Sequence, residues 1–161
     1  MKKLTLIFVL LVVIVMELNA KPYVAFNASR LFGMGDGTYK DNLLTSLSVG
    51  FYRSNETFEI PPYGEVCPTI ALKTNLLIAD GKKPIPAVMY SLRTSPSENR
   101  LALIGSMGLG YAFGKDEKGF TFESGVGFDI PFFTQVLQID VGYIGIGDIN
   151  GFFARIGFAH R

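Results

Sequence analysis

The chain is 161 residues long and carries 15 Lys plus Arg, 14 Asp plus Glu and one histidine. Near-balanced charge, with no basic block or aromatic-interleaved basic stripe, offers nothing to neutralise a phosphate backbone, so nucleic acid is excluded as an expected partner. A single cysteine cannot close an internal disulfide, so packing and strand pairing must hold the fold.

Residues 1–20 differ from everything after them. Lys2 and Lys3 precede an apolar run over residues 4–16, which closes at Glu17-Leu18-Asn19-Ala20. This is the layout of a secretory signal peptide, with cleavage expected before Lys21. The run falls short of the roughly 20 apolar residues that a membrane-spanning helix needs. Cys67 does not follow it, so no lipid-modified N-terminal cysteine is expected. Residues 21–161 suit one domain.

Along that domain apolar residues alternate with small or polar ones, the period of a β-strand. Val24, Phe26, Ala28 and Phe32 oppose Tyr23, Ala25, Asn27 and Ser29, and Leu47, Val49 and Phe51 oppose Ser46, Ser48, Gly50 and Tyr52. Ile70, Leu72, Leu76 and Ile78 then oppose Thr69, Ala71, Lys73 and Asn75. Val88, Tyr90 and Leu92 oppose Ala87, Met89, Ser91 and Arg93. The clearest run has Leu101, Leu103, Gly105, Met107, Leu109, Tyr111 and Phe113 on one parity and Ala102, Ile104, Ser106, Gly108, Gly110, Ala112 and Gly114 on the other. Phe120, Phe122, Val126, Phe128 and Ile130 next oppose Thr121, Glu123, Gly125, Gly127 and Asp129. Two last segments set Leu137, Ile139, Val141 and Tyr143 against Gln138, Asp140 and Gly142, and Phe152, Ala154, Ile156 and Phe158 against Phe153, Arg155 and Gly157. The connections expected at 33–42, 53–65, 79–86, 94–100, 115–118, 131–134 and 145–150 are short enough for an antiparallel meander, and no strand-helix-strand spacing occurs. Sequentially joined strands with no helix to cover a face point to closure, which removes exposed edges. The expected fold is an all-β, antiparallel, up-and-down closed β-barrel of about eight strands.

The less apolar parity decides which face looks inward. A water-facing strand surface carries Lys, Glu, Thr and Gln, whereas this one is dominated by Gly, Ala and Ser, which suit a narrow barrel interior. Its charged members are Lys73, Arg93, Glu123, Asp129, Asp140 and Arg155, three of each sign. Such a set can be neutralised pairwise in a polar lumen, where an unpaired charge is very costly. The outer parity is nearly uncharged, Arg30 being the exception. Its aromatics gather towards strand ends: Phe32, Tyr111, Phe113, Phe120, Phe122, Tyr143 and Phe152 at one rim, and Phe26, Phe51, Phe128 and Phe158 nearer the other. Two aromatic girdles around an apolar band belong to a barrel crossing a membrane.

With this pattern and the final segment Gly151-Phe152-Phe153-Ala154-Arg155-Ile156-Gly157-Phe158, the chain from Pro22 to Phe158 resembles small outer-membrane β-barrels of the outer-membrane protein A and X type. In that family an aromatic ending the last strand helps the barrel assembly machinery recognise the chain, and Ile156-x-Phe158 looks like that ending. The resemblance implies an outer-membrane location after export, contact with outer-membrane lipid, and a monomer.

No catalytic, cofactor or metal site is expected. The one histidine, His160, lies in the terminal tail without a positioned acid. Asp36, Asp41, Asp80 and Asp148 sit in separate loops without calcium-loop spacing, and Gly33-x-Gly35-x-Gly37 precedes no helix and reads as a hairpin loop rather than a phosphate cradle. Three function classes remain: a structural or surface-interaction barrel, a soluble lipocalin-like carrier of a small apolar ligand, and a narrow channel. An eight-stranded barrel filled by side chains argues against a free aqueous pore, which larger barrels leave.

Overall fold

The structure is a computed structural model that describes residues 20–33, 42–52, 57–60, 64–78, 83–96, 101–115 and 117–160. The alternating segments form β1 (Lys21–Gly33), β2 (Asn42–Tyr52), β3 (Phe58–Ile60), β4 (Gly64–Ile78), β5 (Ile85–Pro96), β6 (Ala102–Phe113), β7 (Lys118–Phe132), β8 (Gln135–Ile146) and β9 (Ile149–His160). Chain neighbours pair antiparallel, β1 also pairs with β9, and β2 pairs with β4. Eight strands therefore close into an up-and-down barrel, while β3 pairs with β4 outside the closed ring. The residues of the expected signal segment up to Asn19 lie outside the described residues, as do Gly35, Gly37, Asp36, Asp41 and Asp80.

The register sets the strand tilt. From Lys21 the ladder runs through Tyr52, Thr69, Arg93, Ser106, Gly125, Gly142 and Phe153 and returns to β1 at Leu31, ten residues further on. A closed sheet with such a stagger must tilt its strands to the barrel axis, and at eight strands its interior is just wide enough for side chains.

Strand limits differ most from the sequence reading at two places. The expected connection at 53–65 supplies β3 and the start of β4. There β4 runs on past the end of β2 at Tyr52, and Phe58 takes up the vacated edge opposite Val66. Three residues are too few for a period-two signal, and Pro61-Pro62 reads as loop. Thr94 to Pro96, expected as connection, belong to β5, where Pro96 sits at a strand end that a proline tolerates.

Two hairpins close with two-residue turns. Gly147 opens one at φ 60°, a left-handed conformation natural to glycine, and its N–H donates to the Phe120 carbonyl at 3.1 Å. Phe133 adopts φ 56° at the same place in the β7–β8 turn, where a non-glycine residue is strained.

Candidate functional site

The barrel is inside out relative to a water-soluble protein. Val24, Leu47, Leu72, Tyr90, Leu109, Val126, Val141 and Ile156 stand exposed on its outer wall, while Lys73, Arg93, Glu123, Asp129, Asp140 and Arg155 are all buried. Parity accounts for both, because side chains alternate strictly across the sheet.

Glycines on the inner parity make room for what the lumen holds. A Cβ on Gly125 or Gly142 would meet the Phe153 ring at 3.1 and 2.7 Å, and one on Gly157 would run into the Asn27 side chain and the Phe26 carbonyl. Phe153 lies over those two glycines with its ring 4.3 Å from the Arg155 guanidinium, so one aromatic seals the boundary between the apolar and charged parts of the lumen.

The lumen is layered. At the end carrying the β8–β9 turn, Leu31, Leu44, Leu77, Ile85, Ile144, Ile146 and Phe153 pack into an apolar cap. At the end carrying both strand termini, Tyr23, Ala25, Tyr52, Cys67, Ala71, Val136 and Ala159 form a second. The sequence reading expected mainly small residues inside; these bulky inner residues stand near the strand ends, where the alternation was weakest.

The six charges lie between the caps. Lys73 on β4 reaches across to Glu123 on β7, its Nζ donating to Oε2 at 2.6 Å and Oε1 at 2.8 Å. Arg155 on β9 donates from Nη1 to the same Oε1 at 2.8 Å and from Nε to Ser29 Oγ at 3.2 Å. Arg93 on β5 grips Asp140 on β8 with Nη1 and Nη2 at 2.9 and 3.1 Å, and Nη2 also donates to Asp129 on β7 at 2.6 Å. A 3.6 Å approach of Arg155 Nη1 to Asp140 joins the two halves into one network. Gln138 and Tyr23 extend it, since Gln138 Nε2 donates to Asp129 at 3.4 Å and the Tyr23 hydroxyl donates to Gln138 Oε1 at 3.3 Å. The structure thus brings together all six charged residues singled out in the sequence.

Ser29, Gln138, Tyr23 and Phe153 were not singled out there. Their one sequence signal was an inner-parity position, shared with residues outside the network. His160 is exposed at the end of β9, and Asp148 is exposed in the β8–β9 turn. The Cys67 thiol is buried and donates to the Tyr52 hydroxyl at 3.4 Å, which in turn donates to the Pro96 carbonyl. Among the described residues no group of three or more His, Cys, Asp or Glu side chains is placed to hold a metal ion.

The arrangement is one of mutual neutralisation: every carboxylate of the lumen faces a guanidinium or ammonium, and packed apolar side chains stand above and below. No family model, curated protein or solved structure matches this chain.

Proposed function

We propose that this protein is a monomeric outer-membrane β-barrel of the outer-membrane protein A and X type, with a structural or surface-interaction role and no catalysis. The observation carrying this reading is the inversion of polarity, with an outer wall of exposed Leu, Val, Ile and Phe around six buried, paired charges. In water such a wall would far exceed the apolar patch a soluble monomer exposes. In a bilayer it is the surface the solvent requires, and closure leaves the ring of eight strands without an open sheet edge.

Aromatic contacts at the two ends fit the interfaces. Tyr143 meets Phe152 at 5.4 Å and Phe122 at 5.8 Å between ring centroids, and at the opposite end Phe132 meets Phe133 at 4.9 Å and Phe158 at 6.3 Å. Export through residues 1–20 and insertion by the barrel assembly machinery belong to the same reading. A soluble cup would need an apolar cavity inside and a polar wall outside, the reverse of this distribution. A channel would need a wet path through both caps.

Fractionation tests the reading. The mature protein should partition with the outer membrane, migrate faster on gels before heating than after, and give no steady conductance in a planar bilayer. Recovery as a detergent-independent soluble protein would overturn it.

A further inference from the structure

Seven of the eight seams of the ring are long. Among the described residues their ladders hold ten to twelve residue pairs each. Even the seam between the first and last strands runs from Val24↔His160 to Gly33↔Gly151. The eighth seam joins β5 to β6, which follow each other in the chain, yet it holds only seven pairs, from Ala87↔Ala112 to Arg93↔Ser106. Chain neighbours meet at the least entropic cost, so connectivity does not account for a hairpin ladder shorter than the terminal one.

Towards the end that carries the strand termini, β5 and β6 part. Thr94, Ser95 and Pro96 stay paired with Pro68, Cys67 and Val66 of β4, while Ala102, Leu103 and Ile104 stay paired with Asp129, Phe128 and Gly127 of β7. No ladder joins the two sets. At the point of divergence the Thr94 hydroxyl stands in for the main chain, accepting from the Gly105 N–H at 2.8 Å and donating to the Gly105 carbonyl at 3.3 Å. A Cβ on Gly105 would meet nothing within 4 Å, so open space lies beside this clip. Inside, β6 carries Ala102, Ile104, Ser106, Gly108, Gly110 and Ala112, none of them charged, and the Ser106 hydroxyl has no hydrogen-bond partner. Arg93, the last β5 residue in the ladder, passes over β6 instead, donating to Asp129 on β7 at 2.6 Å and to Asp140 on β8 at 2.9 and 3.1 Å.

We propose that the wall opens laterally at this seam, parting β5 from β6 from the strand ends inward, with the Thr94 clip and the Arg93 grip as the two fastenings that hold it shut. A fold opens locally where the fewest bonds must break together. Parting Ser95 from Ile104, both buried, gives the charged middle layer a sideways route to the outer face that neither apolar cap offers. Unpaired main-chain groups are costly in hydrocarbon, so in lipid the parting is confined to the strand ends near water. The weak seam belongs to the ring itself and is there in detergent and in lipid alike.

Residue-resolved amide exchange of the refolded mature barrel in detergent tests the opening. Those amides of residues 87–93 and 106–112 that bond across the seam should exchange about tenfold faster than those of the β1–β9 seam. Thr94→Val keeps the shape, removes the clip and should speed exchange at the seam about fivefold while leaving the β8–β9 ladder unchanged. Arg93→Gln should speed it about tenfold, again at this seam first. Leu92 and Met107 are register partners across the seam. Leu92→Cys with Met107→Cys, oxidised in the folded barrel on a Cys67→Ser background, should slow the seam to the β1–β9 rate. If Arg93→Gln fails to fold, Thr94→Val and this staple decide the matter. Exchange that is even round the ring or fastest between β1 and β9, a staple without effect, or variants that speed every ladder equally would overturn the opening.

Discussion

Glu123 is the residue on which the lumen depends most. Its carboxylate accepts from Lys73 at 2.6 and 2.8 Å and from Arg155 at 2.8 Å. Glu123→Gln keeps the shape, removes the charge, and turns an amide N–H towards a donor. Lys73 then loses its partner, and Arg155 keeps only Asp140 at 3.6 Å and Ser29. An uncompensated buried charge costs about 3 to 5 kcal/mol, whereas an exposed pair is worth about 1 kcal/mol at most. Against a total stability of about 5 to 15 kcal/mol this is a large fraction. Lys73→Met should cost less, because Glu123 retains Arg155. The double variant leaves Arg93 and Arg155 facing Asp129 and Asp140, which restores balance, so it should be more stable than Glu123→Gln alone by about 1 to 3 kcal/mol. Urea titration of barrels refolded in detergent, read by the gel shift between unheated and heated protein, measures all three. A loss below about 1 kcal/mol for Glu123→Gln, or a double variant costing the sum of the singles, would refute the idea of a desolvated network.

Leu109 is 60% exposed in the middle of β6, so Leu109→Arg should be harmless in water but cost about 2 to 4 kcal/mol in a bilayer, seen as failed insertion into vesicles. Gly157→Ala should lose about 1 to 3 kcal/mol in the same titration, since its Cβ would meet the Phe26 carbonyl, which is backbone and cannot swing away. Phe133 is 89% exposed and strained, so Phe133→Gly should gain about 1 kcal/mol of unfolding resistance in detergent, with a loss in lipid vesicles marking the ring as an interface anchor. Intact-mass measurement of the exported protein should find its N-terminus at Lys21, and retention of residues 1–20 would convert the chain into an anchored protein.

The barrel was legible because period two survives wherever one strand face meets apolar surroundings and the other does not. In β6 the alternation of Leu103, Met107, Leu109 and Tyr111 with Ile104, Ser106, Gly108 and Gly110 fixes strand, face and hairpin partner together. Charges on the inner parity were equally visible, because Lys, Arg, Asp and Glu stand out in an otherwise small and apolar row. Which cation meets which carboxylate was not visible. Lys73 and Glu123 are fifty residues apart and face each other only once the sheet has closed. β3 escaped for want of length, and the apolar caps because Leu31, Leu44, Leu77 and Ile146 sit where strands run into turns and the contrast between faces fades.

The layering of the lumen bears on how the barrel settles into one register. A slip of one residue would turn every outward-facing apolar side chain inward and every buried charge outward, so the two faces oppose it at once. A slip of two residues preserves the faces, and an apolar lumen would oppose it only through packing. Here such a slip of β4 would carry Lys73 about 6.6 Å along the lumen, beyond the reach of a 2.6 Å contact with Glu123. Arg93 would likewise leave Asp140 if β5 moved against β8, and the Asp140↔Arg155 pairing ties β8 to β9. Buried ion pairs add little net stability over well-packed apolar residues, but a displaced one leaves its partner desolvated and alone. The six charges therefore weigh more heavily against misregistered barrels than in favour of the native one, and that is a physical reason for placing them in the middle layer, to which β4, β5, β7, β8 and β9 contribute.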